Sequence, residues 1–349
     1  MLLSNFVMPL VTQCQVRPKV VLLPEGNDVR TIEAASILVD LKSARTIILI
    51  GEEATIIPKL SPTLKLALGG ILNIQTPKDQ QTVDLTAHRC RNILQAKGKS
   101  PDEQTLASLA INPLYQSGAM LSQGLGDCAV AGAVATTSEV IRAALGTVGL
   151  KDGFKTLSGS FFMHRETTNQ PHGKSPRENL MSHPNETFLY ADSGVVVDPT
   201  EEQLSDIAAA SCDTWSKIMT TPPVVAFLSF STKGSARHMS SDKMSIACQK
   251  FRLRAPHIIS DGELQFDAAY DQEVGSRKAP GSVVPGRANI FIFPDLNSGN
   301  IAYKVTQRLG QFSAFGPILQ GLAKPYSDLS RGASAIDIAV SVLINSIRE

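Results

Sequence analysis

Short, continuously apolar runs alternate along this chain with longer segments of helical periodicity. Val20-Val-Leu-Leu23 runs into Pro24-Glu25-Gly26, and Thr31 to Leu41 then reads as a helix. Thr46-Ile-Ile-Leu-Ile50 closes at Gly51, and Cys128-Ala-Val-Ala-Gly-Ala-Val134 precedes a helical stretch from Ser138 to Leu145. The second half repeats the style with Phe188-Leu-Tyr190, a helical pattern from Glu201 to Met219, Val224-Val-Ala-Phe-Leu228 and Ala288-Asn-Ile-Phe-Ile-Phe293. Strands alternating with helices imply parallel sheets, and strands covered on both faces read as unbroken apolar runs. The expected class is therefore α/β with mainly parallel sheets. A chain of 349 residues exceeds one ordinary core, which points to two domains. No repeat at solenoid period is present.

Composition narrows the function classes. Hydrophobic residues at 43% and charged residues at 19% describe a soluble globular protein. A net charge of +1 argues against a dedicated nucleic-acid surface. No apolar run approaches the roughly 20 residues needed to span a bilayer. The opening Met1 to Gln15 lacks a basic leader region and carries Pro9, so it reads as an amphipathic segment rather than a signal peptide. The five cysteines are scattered, with no Cys-x-x-Cys pair, and suit reduced thiols in a cytoplasm; buried small hydrophobe is the stronger reading for each. Neither cysteines nor histidines fall at metal-ligand spacing, so no metal site is expected. Arg165 to Pro184 is polar and proline-punctuated, and reads as an exposed excursion.

The chemistry concentrates near the end, in Lys324-Pro-Tyr-Ser-Asp-Leu-Ser-Arg-Gly-Ala-Ser-Ala-Ile-Asp337. Ser330, Arg331 and Gly332 place a hydroxyl, a permanent cation and a flexible backbone in a row. A planar guanidinium donates two parallel bonds to a phosphate oxygen pair, and a nearby carboxylate can take a proton. The plainer alternatives are specific too. Ser334-Ala-Ile-Asp337 has the spacing of a helix cap, Ser330 can be a turn serine, and Arg331 can pair with Asp328. Four other strand ends are polar and turn-rich: Pro24 to Arg30, Ala135 to Arg142, Ser229 to Ser235 and Pro294 to Lys304. Ligands of open α/β sheets collect at such ends. Ser229, Ser231, Thr232, Lys233 and Gly234 could cradle phosphate, or could simply punctuate a strand-to-helix turn. Thr137 or Ser138 is expected to cap the next helix, with Arg142 one turn in.

Read together, these blocks resemble the phosphate acetyltransferase (phosphotransacetylase) family over nearly the whole chain. The matching blocks are Pro24-Glu25-Gly26-x-Asp28-x-Arg30, Val130 to Arg142, Ala191-Asp-Ser-Gly194, Leu228 to Ser235, Asp261 to Ala269, Ile292 to Lys304 and Gly316 to Gly332. The length and Gly234-Ser-Ala-Arg-His238 further resemble the short members used in ethanolamine catabolism. The resemblance implies two α/β domains of the isocitrate/isopropylmalate dehydrogenase type with the active site in the cleft between them. Domain I would comprise 1–152 plus 323–349 and domain II 153–322, the terminal helix returning to the first. It implies a cytoplasmic homodimer that transfers acetyl between acetyl phosphate and coenzyme A, releasing inorganic phosphate, with no bound cofactor. It carries over Ser330, Arg331 and Asp337 as catalytic residues and Arg142 as a substrate arginine. Asn300 and Lys304 enter the substrate set from the matched Ile292 to Lys304 block. A further family arginine falls on Arg91 or Arg89, and Arg91 is taken. The family's Ser-Arg-Gly-Cys becomes Ser-Arg-Gly-Ala333 here.

Such a transfer needs a thiolate. A free thiol titrates near ~8.5 and a free aspartate near ~3.9, so full proton transfer to Asp337 carries a penalty of about 6 kcal/mol. Nearby arginines would stabilise the thiolate, Ser330 could bond the sulfur or the developing oxyanion, and Arg331 and Arg142 would hold the leaving phosphate. This scheme needs no metal. The alternatives are a phosphate butyryltransferase or other longer-chain acyltransferase, a nicotinamide-dependent dehydrogenase, and a non-catalytic acetyl-CoA-sensing module.

Overall fold

Leu22 and Leu23 have no exposed surface because their strand is the middle one of five. The computed structural model describes residues 4–96, 98–166 and 185–349. Apart from Arg165 and Glu166, the excursion expected between Arg165 and Pro184 lies outside the described residues. The chain divides into two compact units, one of residues 1–152 with 322–349 and one of residues 153–321.

The first unit runs α1 (Val7–Val16), β1 (Lys19–Leu23), α2 (Val29–Asp40), β2 (Ala44–Ile50), α3 (Glu53–Ile56), α4 (Pro62–Ala67), β3 (Leu72–Gln75), α5 (Gln80–Ala96), α6 (Glu103–Ala110), α7 (Pro113–Ser122), β4 (Cys128–Val130) and α8 (Thr137–Thr147). In the second unit come β5 (Ser158–Glu166), β6 (Asn185–Ala191), α9 (Glu201–Ile218), β7 (Val224–Leu228), α10 (Met239–Arg254), β8 (Ile259–Leu264), α11 (Phe266–Tyr270), α12 (Gln272–Lys278), β9 (Ile290–Ile292), α13 (Leu296–Arg308) and β10 (Ser313–Gln320). The chain then returns to the first unit for β11 (Tyr326–Ser327) and α14 (Ala335–Arg348).

The first sheet has the order β11-β4-β1-β2-β3 and is parallel throughout. The second has the order β10-β5-β6-β9-β7-β8. Its β6, β9, β7 and β8 are parallel, while β5 and β10 are antiparallel additions at one side. The fold is α/β with mainly parallel sheets.

Local chemistry sets the element ends. Asp28 caps α2 by accepting from the Arg30 N–H, and Thr136 with Glu139 closes a capping box on α8. The cap of α8 is thus one residue earlier than Thr137. The run expected as a strand to Val134 stops at Val130, because the amides from Gly132 onward bond to a side chain. The opening segment forms α1, which buries Val7, Leu10, Val11 and Cys14. Helix α14 buries Ile338, Val342, Leu343 and Ile344 in the first unit, each contributing about 1.5–3 kcal/mol. All five cysteines are buried and free.

Candidate active site

Strands β11, β4 and β1 are neighbours and parallel, so the loops that leave them open on one edge of the sheet. Those loops are Asp328 to Ser334, Ala131 to Thr136 and Pro24 to Asp28. Side chains tie all three together. The Glu25 carboxylate accepts four consecutive backbone N–H groups: Gly132 at 2.9 Å and Ala133 at 2.7 Å on Oε2, Val134 at 3.0 Å and Ala135 at 2.7 Å on Oε1. Amides aligned this way form an anion-binding nest, and here the anion is internal.

Arg30 uses all five of its N–H groups. Nε and one Nη2 hydrogen hold Asp28 at 3.0 Å each, and the other Nη2 hydrogen reaches Ala133 O at 2.6 Å. Nη1 donates to Arg331 O at 2.8 Å and Ala333 O at 3.1 Å. The bond from Arg30 is the main cause holding the Asp28 carboxyl below its usual range. The arrangement is rigid because a guanidinium is planar and its donors are fixed.

Arg331 thereby has its backbone pinned while its side chain is exposed. Among the described residues its guanidinium makes no hydrogen bond or ion pair. Ser330 is exposed too; its Oγ accepts from Gly332 N at 3.4 Å. Asp337 is exposed and sits in a capping box: its Oδ2 accepts from Ser334 N at 2.9 Å and Ser334 Oγ at 2.8 Å, and its N–H donates to Ser334 Oγ at 3.2 Å. The helix-capping reading of Asp337 is realised, and its second oxygen accepts nothing among the described residues. Asp328 does not pair with Arg331. It is buried and accepts from Thr137 Oγ1 at 2.6 Å.

Arg142 is exposed one turn into α8, where it donates to Ser138 O at 3.1 Å; after the Thr136 bonds, its charge helps to lower the Glu139 carboxyl, but it makes no ion pair among the described residues. Arg91 is drawn elsewhere: its Nη2 holds both carboxylate oxygens of Glu103 on α6, at 3.0 and 3.1 Å. Arg89 caps the end of α8 through Thr147 O at 2.6 Å and Val148 O at 3.3 Å. Both arginines considered for the further position are thus committed inside the unit.

In the second unit the loop after β7 is closed by a carboxylate of β8. Glu263 Oε1 accepts from Ser231 Oγ at 2.9 Å and Gly234 N at 2.7 Å, and Thr232 Oγ1 accepts from Gln265 N at 2.9 Å. Ser229 Oγ accepts from Ser231 N at 3.2 Å. Ser231 and Thr232 are buried, so these groups hold the loop instead of facing solvent as an open phosphate cradle would. Lys233 and Arg252 both bond Asp261, at 2.5 and 2.7 Å, beside a cavity of about 620 Å³. Asn300 Nδ2 donates to Ser193 O at 3.3 Å, and exposed Lys304 has no ion pair among the described residues.

Glu25, Arg30 and Asp328 were absent from the sequence-based candidates. The signal that could have found Glu25 and Arg30 is an acid and an arginine crowded into Pro24-Glu25-Gly26-x-Asp28-x-Arg30 directly after a buried strand; Asp328 carries no such signal.

Residues 5–346 match the family described as phosphate acetyl/butaryl transferase. A phosphate acetyltransferase of Acetivibrio thermocellus is 37% identical over 346 residues, covering 99% of this chain and 98% of the relative. A phosphotransacetylase from Streptococcus pyogenes superposes with a TM-score of 0.86 at 34% identity, covering 99% of this chain and 98% of the other. The EutD phosphotransacetylase from Staphylococcus aureus gives a TM-score of 0.81 at 31% identity, over 99% of both chains.

Proposed function

The chain belongs to the phosphate acetyl/butaryl transferase family and transfers acetyl reversibly between coenzyme A and phosphate, and from this premise we propose that Ser330, Arg331 and Asp337 carry the transfer. One observation supports this most: among the described residues the Arg331 guanidinium makes no hydrogen bond or ion pair, while Arg30 fixes its backbone. A cation whose loop is held in place loses little further freedom when it takes a phosphoryl group.

The chemistry proceeds in one ternary complex. Asp337 takes the proton of the coenzyme A thiol. The thiolate attacks the acetyl carbonyl of acetyl phosphate, the carbonyl π pair moves to oxygen, and its return expels phosphate. Ser330 donates to the developing oxyanion, and Arg331 with Arg142 neutralises the departing phosphate. Asp337 stays a helix cap through Oδ2 and has Oδ1 for the proton. Ser231, Thr232 and Gly234 keep the loop after β7 in shape, and Ser229, Lys233, Asn300 and Lys304 are the polar groups through which the second unit would bind a ligand. Arg91 joins the substrate only by releasing Glu103. The acting species is a cytoplasmic homodimer with no resident cofactor. No described helix is long and apolar enough to cross a membrane.

The test is thioester formation from acetyl phosphate and coenzyme A, followed by absorbance, together with sedimentation of the active species. A chain that forms no thioester, or an Arg331→Lys variant that works as well as the parent, would overturn the assignment.

A further inference from the structure

Asp328 lies two residues before Ser330 and has no exposed surface. Its Oδ2 is bonded by Thr137, the first residue of α8, and its buried Oδ1 has no hydrogen-bond partner among the described residues. Gly132 lets the loops meet there. Its φ is 104°, and a Cβ on it would lie 2.3 Å from Asp328 Oδ1 and 2.6 Å from Leu329 N. Four elements therefore face this carboxyl: α8 with Thr137, the loop after β4 with Gly132, the loop after β1 with Glu25, and β11 with Tyr326. Burial pushes Asp328 up to about 6; the bond from Thr137 and the polarity of the nearby Leu329 amide oppose that rise, and the Glu25 charge adds to it. Burial also raises Tyr326, which keeps it neutral.

An asparagine would accept the same Thr137 bond without carrying charge. A buried, half-bonded carboxylate lowers stability near neutral pH. The side chain is therefore a poor device for holding the fold and a good one for fixing two charged segments, since α8 presents its positive end to it.

We propose that Asp328 is a positioning residue for the transfer: through Thr137 it fixes the Ser330–Arg331 loop against the first turn of α8, and so holds Arg331 and Arg142 at one spacing. The proposal rests on the reading that Ser330 and Arg331 carry the transfer.

The experiment uses the full chain, with Asp328→Asn, Thr137→Val and the double variant. Each single change lowers kcat/KM for acetyl phosphate about 10–100-fold, as expected for a misplaced group, and leaves the KM for coenzyme A within about threefold. The double variant is no worse than the worse single one, because both remove the same tie. The parent is expected to lose activity on the acid side of pH ~6, and Asp328→Asn to lack that limb. Amide hydrogen exchange at Leu329 to Ser334 speeds up in both, while Asp328→Asn melts no lower than the parent at pH ~8. Turnover within about threefold of the parent, additive losses, or an activity loss that tracks a lower melting temperature overturns the proposal. Should Arg331→Lys prove fully active, the reading of the transfer site fails by itself. Hydrogen exchange then still decides on Asp328, and unchanged exchange at Leu329 to Ser334 overturns its role.

Discussion

Arg30 donates a hydrogen bond to the carbonyl oxygen of Arg331 at 2.8 Å, across 301 residues of sequence. One guanidinium thus fixes the backbone that presents another. The first is fully bonded and the guanidinium of the second makes no hydrogen bond or ion pair among the described residues, so the two arginines have opposite duties although their chemistry is the same.

Arg30→Lys is expected to keep the charge and lose the geometry. An ammonium has three donors on one atom and cannot span Asp28, Ala133, Arg331 and Ala333. Turnover should drop about 10–100-fold, with faster hydrogen exchange in residues 331–333. Parent-like kinetics would show that the loop holds itself.

Arg331→Lys should weaken acetyl phosphate use far more than coenzyme A binding. The single-point ammonium cannot grip two phosphoryl oxygens in parallel. Separate saturation curves for the two substrates check this, and equal damage to both refutes the assigned role.

The capping box separates the two duties of Asp337. Ser334→Ala removes the cap hydroxyl, should cost about 1 kcal/mol of stability, and should leave turnover nearly intact. Asp337→Asn keeps the size and part of the cap and removes the basicity, which should lower the rate about 10²–10⁴-fold in a folded protein. Paired melting curves and rates decide. An Asn variant within a few-fold of the parent means that capping is the whole role of Asp337.

Thiol reagents should leave the native enzyme active. Burial raises Cys14, Cys128 and Cys212 to about 12 and Cys90 and Cys248 to about 11, and the residue after the Ser-Arg-Gly loop is Ala333, which carries no thiol. Neither a thiolate nor an exposed sulfur is offered to the reagent. Rapid inactivation by iodoacetamide at neutral pH, with one adduct per chain in mass spectra, would contradict this.

Asp328 makes stability fall as pH rises through the acid range. Its carboxyl goes from the ordinary 3.8 to about 6 on folding, so between those values the folded chain holds a proton that the unfolded chain has released. Unfolding then becomes easier with rising pH until the folded carboxyl has also ionised. The contribution is lost between pH ~4 and ~6 and amounts to about 3 kcal/mol at most. Denaturant melts of the parent and Asp328→Asn should diverge over that window in favour of the variant. A constant difference across it means that the carboxyl is not raised.

The strands legible from sequence are those that bury both faces. β7 and β9, with Val20 to Leu23 of β1 and Ile47 to Ile50 of β2, are continuous apolar runs because parallel strands have helices above and below. The elements that escaped lack that signal. Helix α5 buries Thr82, Thr86 and Cys90, a stripe of small and polar residues with no apolar period. Strand β8 carries Asp261, Gly262 and Glu263, and β10 carries Gly316 and Pro317, so neither shows an unbroken apolar run. Their place is set by neighbouring strands already in the sheet.

The sequence by itself determined the α/β class, the Ser330-Arg331-Gly332 loop and the Ser334–Asp337 cap, because each depends on residues within a turn or a strand of one another. Only the tertiary structure decided that Glu25 fills the nest of Gly132 to Ala135, that Arg30 holds Arg331, and that Glu263 closes the loop of Ser231 and Gly234. Those partners lie far apart in sequence in the first two cases, and in the third on a strand and on the loop that leaves its neighbour. What brings them together is the order in which parallel strands pair, which places the ends of β11, β4 and β1 side by side, and that order follows from long-range packing that no local pattern of residues encodes.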